Sequence, residues 1–491
     1  MKKLKNIFKI ATLFGLGFFL ITVSISCSND DDNSTLTAFP DQDNDGVADI
    51  SDNCPEASNP DQLDSNDNGI GDVCDDRDGD GVMDNIDNCP NQANPDQLDL
   101  NSDGIGDICE GNPQPLFPCE NGMAGNFPCN DYDLMATLSV AEMGAAGSGN
   151  DSWGWTDPVS GREYALVGTS SASVFVDITN TSQLVVVGIL PTATVNSSWR
   201  DIKVYNNHAF IVSEASNHGM QVFDLTRLRN VTNAPETFTA DARYTGFGRA
   251  HNIVINEDSG YAYGVGTRLN GTPTFNGGPH FVNIQNPTNP VAAGGYADGG
   301  YSHDAQVVTY NGPDSDYTGK EILIGSNENE VVIVDITDKA NPVGISTISY
   351  NNIGYTHQGW FTGDMKYFIL GDELDEQNFG GNTRALIFDF TDLDNPTFHM
   401  EYTGNTPAID HNGYIHNNTY FQANYRAGVR MIDISNIGSN SMTEVGFFDT
   451  YPDDNNANFN GAWNVYPYFA SGNIVISDID RGLFIIKKSQ P

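Results

Sequence analysis

One short motif, repeated along the C-terminal part of the chain, most constrains the fold. Each copy is an apolar run that ends in Asp or Asn and continues with an apolar residue and usually Ser or Thr. The copies are VFVDIT (174–179), QVFDLT (221–226), HFVNIQ (280–285), VIVDIT (332–337), LIFDFT (386–391) and RMIDIS (430–435). A seventh copy, LFIIKK (483–488), lacks the Asp. Recurrence of a strand-like unit at a nearly constant interval is typical of repeat architectures.

A second series of short motifs marks where each repeat begins. Its members are WGW (153–155), WRD (199–201), AHN (250–252), SHD (302–304), THQ (356–358), DHN (410–412) and AWN (462–464). They lie about 45–54 residues apart, which is room for four short strands each. The sequence therefore predicts an all-β, seven-bladed β-propeller over residues 132–491. YDLMATLSV (132–140) is predicted to supply the outer strand of the last blade and so to close the ring.

The chain that precedes the propeller is built from crowded acidic residues. Four segments (41–49, 64–72, 76–84 and 99–107) read D-x-[DN]-x-[DN]-G, then an apolar residue, any residue and Asp. Their side-chain oxygens can converge on one hard cation, as in the first nine positions of an EF-hand loop. No Glu at position 12 and no flanking amphipathic helices accompany them. The predicted Ca²⁺ ligands are Asp41, Asp43, Asp45, Asp49, Asp64, Asn66, Asn68, Asp72, Asp76, Asp78, Asp80, Asp84, Asp99, Asn101, Asp103 and Asp107.

The seven cysteines are consistent with an exported protein. One of them, Cys27, stands alone near the N-terminus, and the other six form an even set, which indicates disulfides. Six cysteines allow fifteen pairings. The spacing of twenty residues, repeated 35 residues further on, favours Cys54–Cys74 and Cys89–Cys109, with a small Cys119–Cys129 loop.

Two resemblances follow from these motifs. The acidic loops, together with DNCP (52–55 and 87–90) and NPDQLD (59–64 and 94–99), resemble thrombospondin type 3 repeats. That resemblance implies a stalk over residues 41–112, in which Ca²⁺ and disulfides replace a hydrophobic core. The propeller motifs resemble LVIVD-repeat proteins, specifically the choice-of-anchor B family of secreted and lipid-anchored bacterial proteins. This second resemblance implies a fold but no particular activity. The Pro- and Gly-rich segment 113–131 is interpreted as a linker with a small disulfide loop.

The N-terminus is interpreted as an export signal. A basic start, MKKLKNIFK, precedes an apolar run over residues 10–23, which is short for a membrane span. Ser26-Cys27 resembles a bacterial lipobox, although Ser24 stands where that pattern usually has Leu. The prediction is a signal peptide (1–26), lipidation of Cys27 and an acidic tether (27–40), with SNDDDN (28–33) resembling a surface-export signal. An outer-membrane lipoprotein at the cell surface would follow; the alternative is an ordinary signal peptide before a solvated acidic tail.

Four histidines are the main candidates for chemistry in the propeller. His251, His303, His357 and His411 occupy equivalent positions in four consecutive repeats, where an outer strand passes to the next inner strand. Imidazoles that converge on the channel could bind a transition metal or a ligand. The favoured alternative is a structural role, in which each histidine forms a hydrogen bond within its own blade. Four tryptophans, Trp155, Trp199, Trp360 and Trp463, lie near the repeat starts, and the acidic loop 372–382 is predicted to be solvated surface.

Composition narrows the function classes. The chain has 65 acidic and 22 basic residues, and this balance argues against nucleic-acid binding. No nucleophile–base motif, zinc-protease motif or P-loop occurs, so no catalytic residue is assigned. The favoured function is adhesion or recognition of an extracellular glycan, protein or matrix component. The alternative is an exported metal-dependent oxidoreductase or hydrolase that uses the four histidines.

Overall fold

The computed structural model describes residues 40–64, 68–97, 99, 104–106, 108–109 and 114–490. The chain divides into two compact units, residues 1–75 and 76–491. The predicted signal peptide, Cys27 and the tether up to residue 39 lie outside the described residues, as do Asn66, Asn101, Asp103 and Asp107. Within the described part of the chain, no helix is long and apolar enough to cross a membrane.

The two acidic repeats are irregular and are organised around disulfides. Cys54–Cys74 lies in the first unit and Cys89–Cys109 in the second, and each disulfide joins residues twenty apart. The described residues before residue 114 form no helix or strand. In both repeats a glycine stands against the disulfide: a Cβ on Gly71 would come within 2.7 Å of Cys54 Sγ, and one on Gly106 within 2.6 Å of Cys89 Sγ. The repeats therefore pack small groups and sulfur where larger domains pack aliphatic side chains.

The second unit contains the predicted seven-bladed β-propeller. Each blade is an antiparallel sheet of four strands, numbered from the channel outward. Blade 1 consists of Gly149–Thr156, Glu163–Thr169, Ala172–Asp177 and Val185–Pro191, and blade 2 of Arg200–Tyr205, His208–Ser213, Met220–Asp224 and Ala242–Tyr244. Blade 3 consists of Asn252–Asn256, Tyr261–Val265, His280–Asn283 and Val291–Gly295, and blade 4 of Asp304–Thr309, Glu321–Ser326, Val331–Asp335 and Val343–Ile348. Blades 5 to 7 are Thr356–Phe361, Tyr367–Asp372, Arg384–Asp389 and Thr397–Thr403; Gly413–His416, Thr419–Ala423, Val429–Asp433 and Thr443–Phe448; and Ala462–Tyr466, Ile474–Asp478, Gly482–Lys488 and Tyr132–Leu138.

Short elements decorate the blades. Glu236–Thr237 adds a parallel strand to the edge of blade 1, and a hairpin of Arg268–Leu269 and Thr272–Pro273 follows the second strand of blade 3. The one α-helix among the described residues, Asp375–Phe379, lies between the second and third strands of blade 5. The 3₁₀ helices are Leu225–Asn230, Thr274–Gly277, Ser315–Tyr317 and Ile437–Ser439.

The structure explains the repeated Asp motif. In six blades the Asp or Asn ends the third strand, and its side chain accepts a hydrogen bond from the backbone N–H two residues later, at 2.8–3.0 Å. The intervening apolar residue, such as Ile178 or Ile336, is fully buried. The motif therefore combines a side-chain-capped turn with an apolar anchor. Blade 7 has no need of this turn, because its outer strand comes from the other end of the domain.

Closure of the ring is confirmed as predicted. Tyr132–Leu138 pairs antiparallel with Gly482–Lys488 and completes blade 7. The linker interpretation needs correction, however, for the second half of 113–131. Phe127–Asn130 pairs with the outer strand of blade 6, and Met123–Ala124 pairs with Phe127–Asn130. The Cys119–Cys129 disulfide is present, and it fixes this hairpin as an extension of blade 6.

Apolar residues pack between neighbouring blades. Phe175 of blade 1 and Phe223 of blade 2 stack with ring centroids 4.6 Å apart, and Phe238 packs against both. Equivalent clusters join the other blades. This packing leaves the polar residues of the inner strands to line the channel, where the candidate site lies.

Candidate functional site

A layer of polar side chains crosses the channel at the start of the inner strands. Several of them bind the backbone of the next blade: Asp151 accepts a hydrogen bond from Ile202 N at 3.1 Å, and Asp201 accepts one from Ile253 N at 2.7 Å. Gln358 accepts one from the N–H of the first strand of blade 6 at 3.0 Å. The equivalent residues of the seven blades are Asp151, Asp201, Asn252, Asp304, Gln358, Asn412 and Asn464.

Blade 1 begins earlier in the sequence than the WGW motif (153–155) predicts. Asp151 makes the same bond to the next blade as Asp201 makes, so Asn150-Asp151 is the true start of this repeat. Trp153 lies two residues further along the strand, at the level of Lys203. The sequence pattern missed this register because Asn150 has no histidine or tryptophan beside it. The cross-blade hydrogen bond is the signal that identifies it.

Lys203 is the cation at the centre of this polar layer. Its ammonium donates hydrogen bonds to Asp201 and to Asp151, and the nitrogen lies 3.3 Å from Asp151 Oδ2. Asp304 accepts a hydrogen bond from Ala305 N at 2.7 Å. Burial raises the pKa of its carboxyl to about 7, with a further contribution from the charge of Asp201. One lysine thus holds two buried carboxylates in place, and a third carboxyl nearby is poised between its charged and neutral forms.

One end of the channel opens into an aromatic pocket. Its volume is about 140 Å³, and its walls include Trp153 and Trp360, which are both partly exposed. Tyr414 packs edge-on against both tryptophans, with centroid distances of 5.7 Å and 4.9 Å. The ammonium of Lys203 lies 4.6 Å from the centre of the Trp153 ring. Polar lining comes from Lys203, Glu257 and Gln306.

The other tryptophans near the repeat starts do not line this pocket. Trp155 is buried and donates a hydrogen bond to Asn207, which is a packing role between blades. Trp463 packs against His411, and Trp199 is 46 % exposed. Of the four tryptophans that the sequence analysis places near the repeat starts, only Trp360 therefore lines the aromatic pocket, together with Trp153.

The four histidines stand in a row along adjacent blades. Successive ring centroids, from His251 through His303 and His357 to His411, are 4.2, 4.4 and 4.4 Å apart. Burial lowers the pKa of His411 to about 3 and holds the pKa values of His303 and His357 well below the usual range. These three imidazoles are therefore neutral at physiological pH and have lone pairs for a ligand.

Their hydrogen bonds run between blades, which differs from the within-blade bonds of the structural alternative. His303 Nδ1 lies 3.1 Å from the backbone oxygen of His357, and His411 Nδ1 lies 2.6 Å from that of Trp463. His251 Nδ1 lies 2.7 Å from Glu214. A carbonyl oxygen accepts only from N–H, so in His303 and His411 the proton is on Nδ1 and the lone pair is on Nε2.

A glutamate completes a compact group with two of these histidines. Glu373 Oε2 lies 3.7 Å from His357 Nε2, and Glu373 Oε1 lies 3.8 Å from His411 Nε2. Tyr425 donates a hydrogen bond of 2.8 Å to Glu373, and burial raises the pKa of this carboxyl to about 7. A metal bound at about 2.0–2.1 Å holds its tetrahedral ligands about 3.4 Å apart, so small shifts would suffice.

The prediction that loop 372–382 is solvated surface is wrong for the first half of the loop, which is buried. Asp372, Asp375 and Glu376 are each at most 5 % exposed, and Glu373 points at the histidines. The loop turns inward because its carboxylates meet partners that the local sequence does not contain, such as Tyr350, Arg384 and Tyr425. Only the residues from Gln377 to Asn382, which include the second half of the helix, are exposed as expected.

The acidic repeats bring together the first three ligand positions of two loops. One oxygen from each of Asp41, Asp43 and Asp45 lies within 4.8 Å of the others, and Asp76, Asp78 and Asp80 form the same group. The glycine N–H at position 6 binds the first aspartate of each loop. Among the described residues, Asp41 Oδ1, Asp43 Oδ2 and Asp78 Oδ2 are buried without a hydrogen-bond partner.

The remaining described loop residues contribute differently. Asp49 and Asp84 accept hydrogen bonds from Gln42 N and Arg77 N at the loop entrances, and Asp84 also pairs with the Arg77 side chain. Asp64 accepts hydrogen bonds from the backbone of Asn68 and Gly69, and Asp99 accepts one from Gly104. Asn68 and Asp72 lie in the second loop.

Comparison with known protein families agrees with the geometry of both parts. Residues 40–62 and 63–97 match the thrombospondin type 3 repeat, and residues 319–349 match the LVIVD repeat. The chain combines thrombospondin type 3 repeats with an LVIVD-repeat β-propeller. Thrombospondin type 3 repeats bind calcium and are typical of extracellular proteins. The LVIVD match covers the three outer strands of blade 4.

Three solved structures resemble the chain at low sequence identity. They are the β-propeller domain of Cps50 (Swd1) from Myceliophteria thermophila (8 % identity, 70 % of this chain, 98 % of that one, TM-score 0.46), a protein from Lactobacillus plantarum (13 %, 63 %, 85 %, 0.43) and a putative 6-phosphogluconolactonase from Bacteroides fragilis (14 %, 60 %, 82 %, 0.42). No curated protein matches the chain. The assignment of seven blades rests on the strands themselves.

Removal of Ca²⁺ is expected to expose the acidic repeats to protease. The unpartnered aspartate oxygens repel one another once the cation is gone, and the repeats have no apolar core to resist this. Limited proteolysis of the full chain, read by mass spectrometry, should show faster cleavage between residues 41 and 109 in EGTA, while a propeller fragment persists. Re-addition of excess Ca²⁺ is the control. Identical cleavage with and without EGTA would contradict a calcium-dependent stalk.

Proposed function

We propose that the protein is a cell-surface lipoprotein in which calcium-binding repeats present a β-propeller that recognises an extracellular ligand. The anchoring part of this proposal rests on the sequence: the export signal, Cys27 and the acidic tether. Two acyl chains on Cys27 would hold the protein stably in the outer membrane, whereas one would not. The calcium-binding repeats support an extracellular location.

The aromatic pocket is the observation that carries the recognition role. Trp153 and Trp360 offer partly exposed rings, while Lys203, Glu257 and Gln306 offer a donor, an acceptor and an amide beside them. A sugar ring has apolar C–H faces that pack on aromatic rings and hydroxyls that exchange hydrogen bonds with such groups. A volume of about 140 Å³ admits one such ring and excludes a protein surface. We therefore favour a glycan among the ligands that the sequence leaves open.

Substitution of Trp360 tests the recognition role. Trp360→Ala removes one aromatic wall and is expected to weaken glycan binding by about 30-fold or more, as loss of a hot-spot residue costs about 2 kcal/mol. A glycan array identifies the ligand for the wild-type protein, and calorimetry then compares the variants. Trp199→Ala is the matched control, because Trp199 is exposed and lies outside the pocket. Equal loss in both variants, or no loss in Trp360→Ala, would contradict the assignment of this pocket.

A metal-dependent enzyme is a second candidate, and one residue favours it. His357 is 1 % exposed, and its Nδ1 has no hydrogen-bond partner among the described residues. Its Nε2 lies 3.7 Å from Glu373, which is too long for a hydrogen bond. A late transition metal at Nε2 would give this buried imidazole one partner that the protein does not supply, while Nδ1 would keep its proton. His357, His411 and Glu373 are the ligand set of a zinc site with one open position, where bound water becomes a nucleophile.

Cobalt substitution tests this second candidate. With the repeats saturated by Ca²⁺, one Co²⁺ per chain should give the intense visible absorption of a tetrahedral site, and Zn²⁺ should displace it. His411→Ala is expected to abolish the band, whereas His208→Ala, at the start of the second strand of blade 2 and away from the row of histidines, should leave it unchanged. A band of equal intensity in His411→Ala, or no band in the wild-type protein, would exclude this metal site and leave glycan recognition untouched.

A further inference from the structure

Three carboxylates from blade 5 and the start of blade 6 meet in the protein interior. They belong to Asp375, Glu376 and Asp410, and one oxygen from each lies within 4.8 Å of the others. Asp375 and Glu376 are 5 % exposed, and Asp410 is fully buried. We refer to these three residues as the buried carboxylate cluster. The cluster is distinct from the aromatic pocket, whose lining residues it does not share.

The protein supplies very little to stabilise this charge. Among the described residues, no N–H or hydroxyl donor reaches either oxygen of Glu376, either oxygen of Asp410 or Oδ1 of Asp375, so Asp375 and Glu376 can hydrogen-bond each other only by sharing a proton. Among the residues that the structure describes, the one counter-charge is Arg384, whose Nε lies 2.5 Å from Asp375 Oδ2. Arg384 also pairs with Glu401 at 3.3 Å, so its charge is shared. Three carboxylates therefore face one shared guanidinium, and a divalent cation would balance them.

A neighbouring aspartate shows how the same blade stabilises a carboxylate by itself. Asp372 is also fully buried. It accepts hydrogen bonds from Tyr350 Oη at 2.9 Å, from Gly354 N at 2.8 Å and from Tyr355 N at 2.5 Å. Asp410 accepts no such hydrogen bond among the described residues. This contrast indicates that the cluster is arranged for a partner other than a protein donor.

The backbone leaves room for the Asp410 carboxylate. A Cβ on Gly371 would lie 2.1 Å from Asp410 Oδ2, so any other residue at this position would displace it. Glycine here, at the end of the second strand of blade 5, admits the carboxylate to a place where it meets two others. Such a close approach would be unfavourable for three bare anions.

We propose that Asp375, Glu376 and Asp410 bind a divalent hard cation, Ca²⁺, inside the propeller. Every donor atom is a carboxylate oxygen, which is the ligand that Ca²⁺ prefers, whereas late transition metals prefer nitrogen and sulfur. Oxygens bound to one Ca²⁺ ion lie at most about 4.6–5.2 Å apart, and one oxygen from each residue of the cluster lies within 4.8 Å of the others. The ion joins the loop after blade 5's second strand to the start of blade 6. It thereby fixes Glu373 and His411, which are sequence neighbours of its ligands.

Calcium stoichiometry in a charge-neutral variant tests the proposal. Glu376→Gln keeps the shape of the side chain and removes one carboxylate. After equilibrium dialysis of the full chain at about 1 mM free Ca²⁺, within the range for extracellular modules, elemental analysis should find one fewer Ca²⁺ per chain than in the wild type. Glu236→Gln is the matched control, because Glu236 is exposed on blade 1 and belongs to none of the candidate metal groups found among the described residues, and its count should not change.

Two results would overturn the proposal. The first is an equal Ca²⁺ count in folded Glu376→Gln and wild-type protein, which is also the result expected if the cluster is stabilised by shared protons. The second result applies if Glu376→Gln does not fold, and it is measured on the wild-type protein. Ca²⁺ bound only to the native propeller must raise the wild-type propeller's unfolding temperature as its concentration rises. A propeller transition that does not move between EGTA and 5 mM Ca²⁺, about fivefold above the dialysis level, would exclude a site of this affinity.

Discussion

Excess negative charge is the constraint on which the rest of this structure depends. With 65 acidic and 22 basic residues, most carboxylates cannot have a cationic side chain as partner. The protein uses three other solutions. Asp177 and its equivalents are capped by backbone N–H groups at the blade turns, Asp372 is surrounded by donors, and Asp151 and Asp201 share one lysine. What remains are crowded carboxylates in the acidic loops and in the buried carboxylate cluster, several of whose oxygens accept no hydrogen bond among the described residues.

These remaining carboxylates are where divalent cations fit. In the repeats, oxygen atoms replace the apolar core that so short a segment cannot build. In the propeller, a cation bound by the buried carboxylate cluster would join blades 5 and 6 next to the row of histidines. The aromatic pocket lies among Trp153, Trp360 and Lys203 instead, so the proposed ligand site and the proposed cation site share no residue.

Much of the fold could be predicted from the sequence because blade symmetry repeats local signals. The Asp or Asn that caps the third strand of six blades is visible as a motif. The otherwise unassigned strand pattern of YDLMATLSV correctly predicts the strand that closes the ring. Blade 1 was placed too late because Asn150 lacks the aromatic or histidine marker of the other blades. The hairpin Phe127–Asn130 was missed because its partner strand lies more than 300 residues away in sequence.

The candidate site was less predictable, because it depends on tertiary contacts between residues of different blades. Equivalent positions in four repeats suffice to bring His251, His303, His357 and His411 together. Nothing local distinguishes Glu373 or Glu376 from solvated loop residues, since their burial depends on Tyr425 and Asp410 of the next blade. Anomalous diffraction from crystals grown in Ca²⁺ tests most directly whether cations complete this structure. The account predicts a calcium peak about 2.3–2.6 Å from oxygens of Asp375, Glu376 and Asp410. A map without that peak, with the three carboxyl groups sharing protons at hydrogen-bond distance, would contradict it.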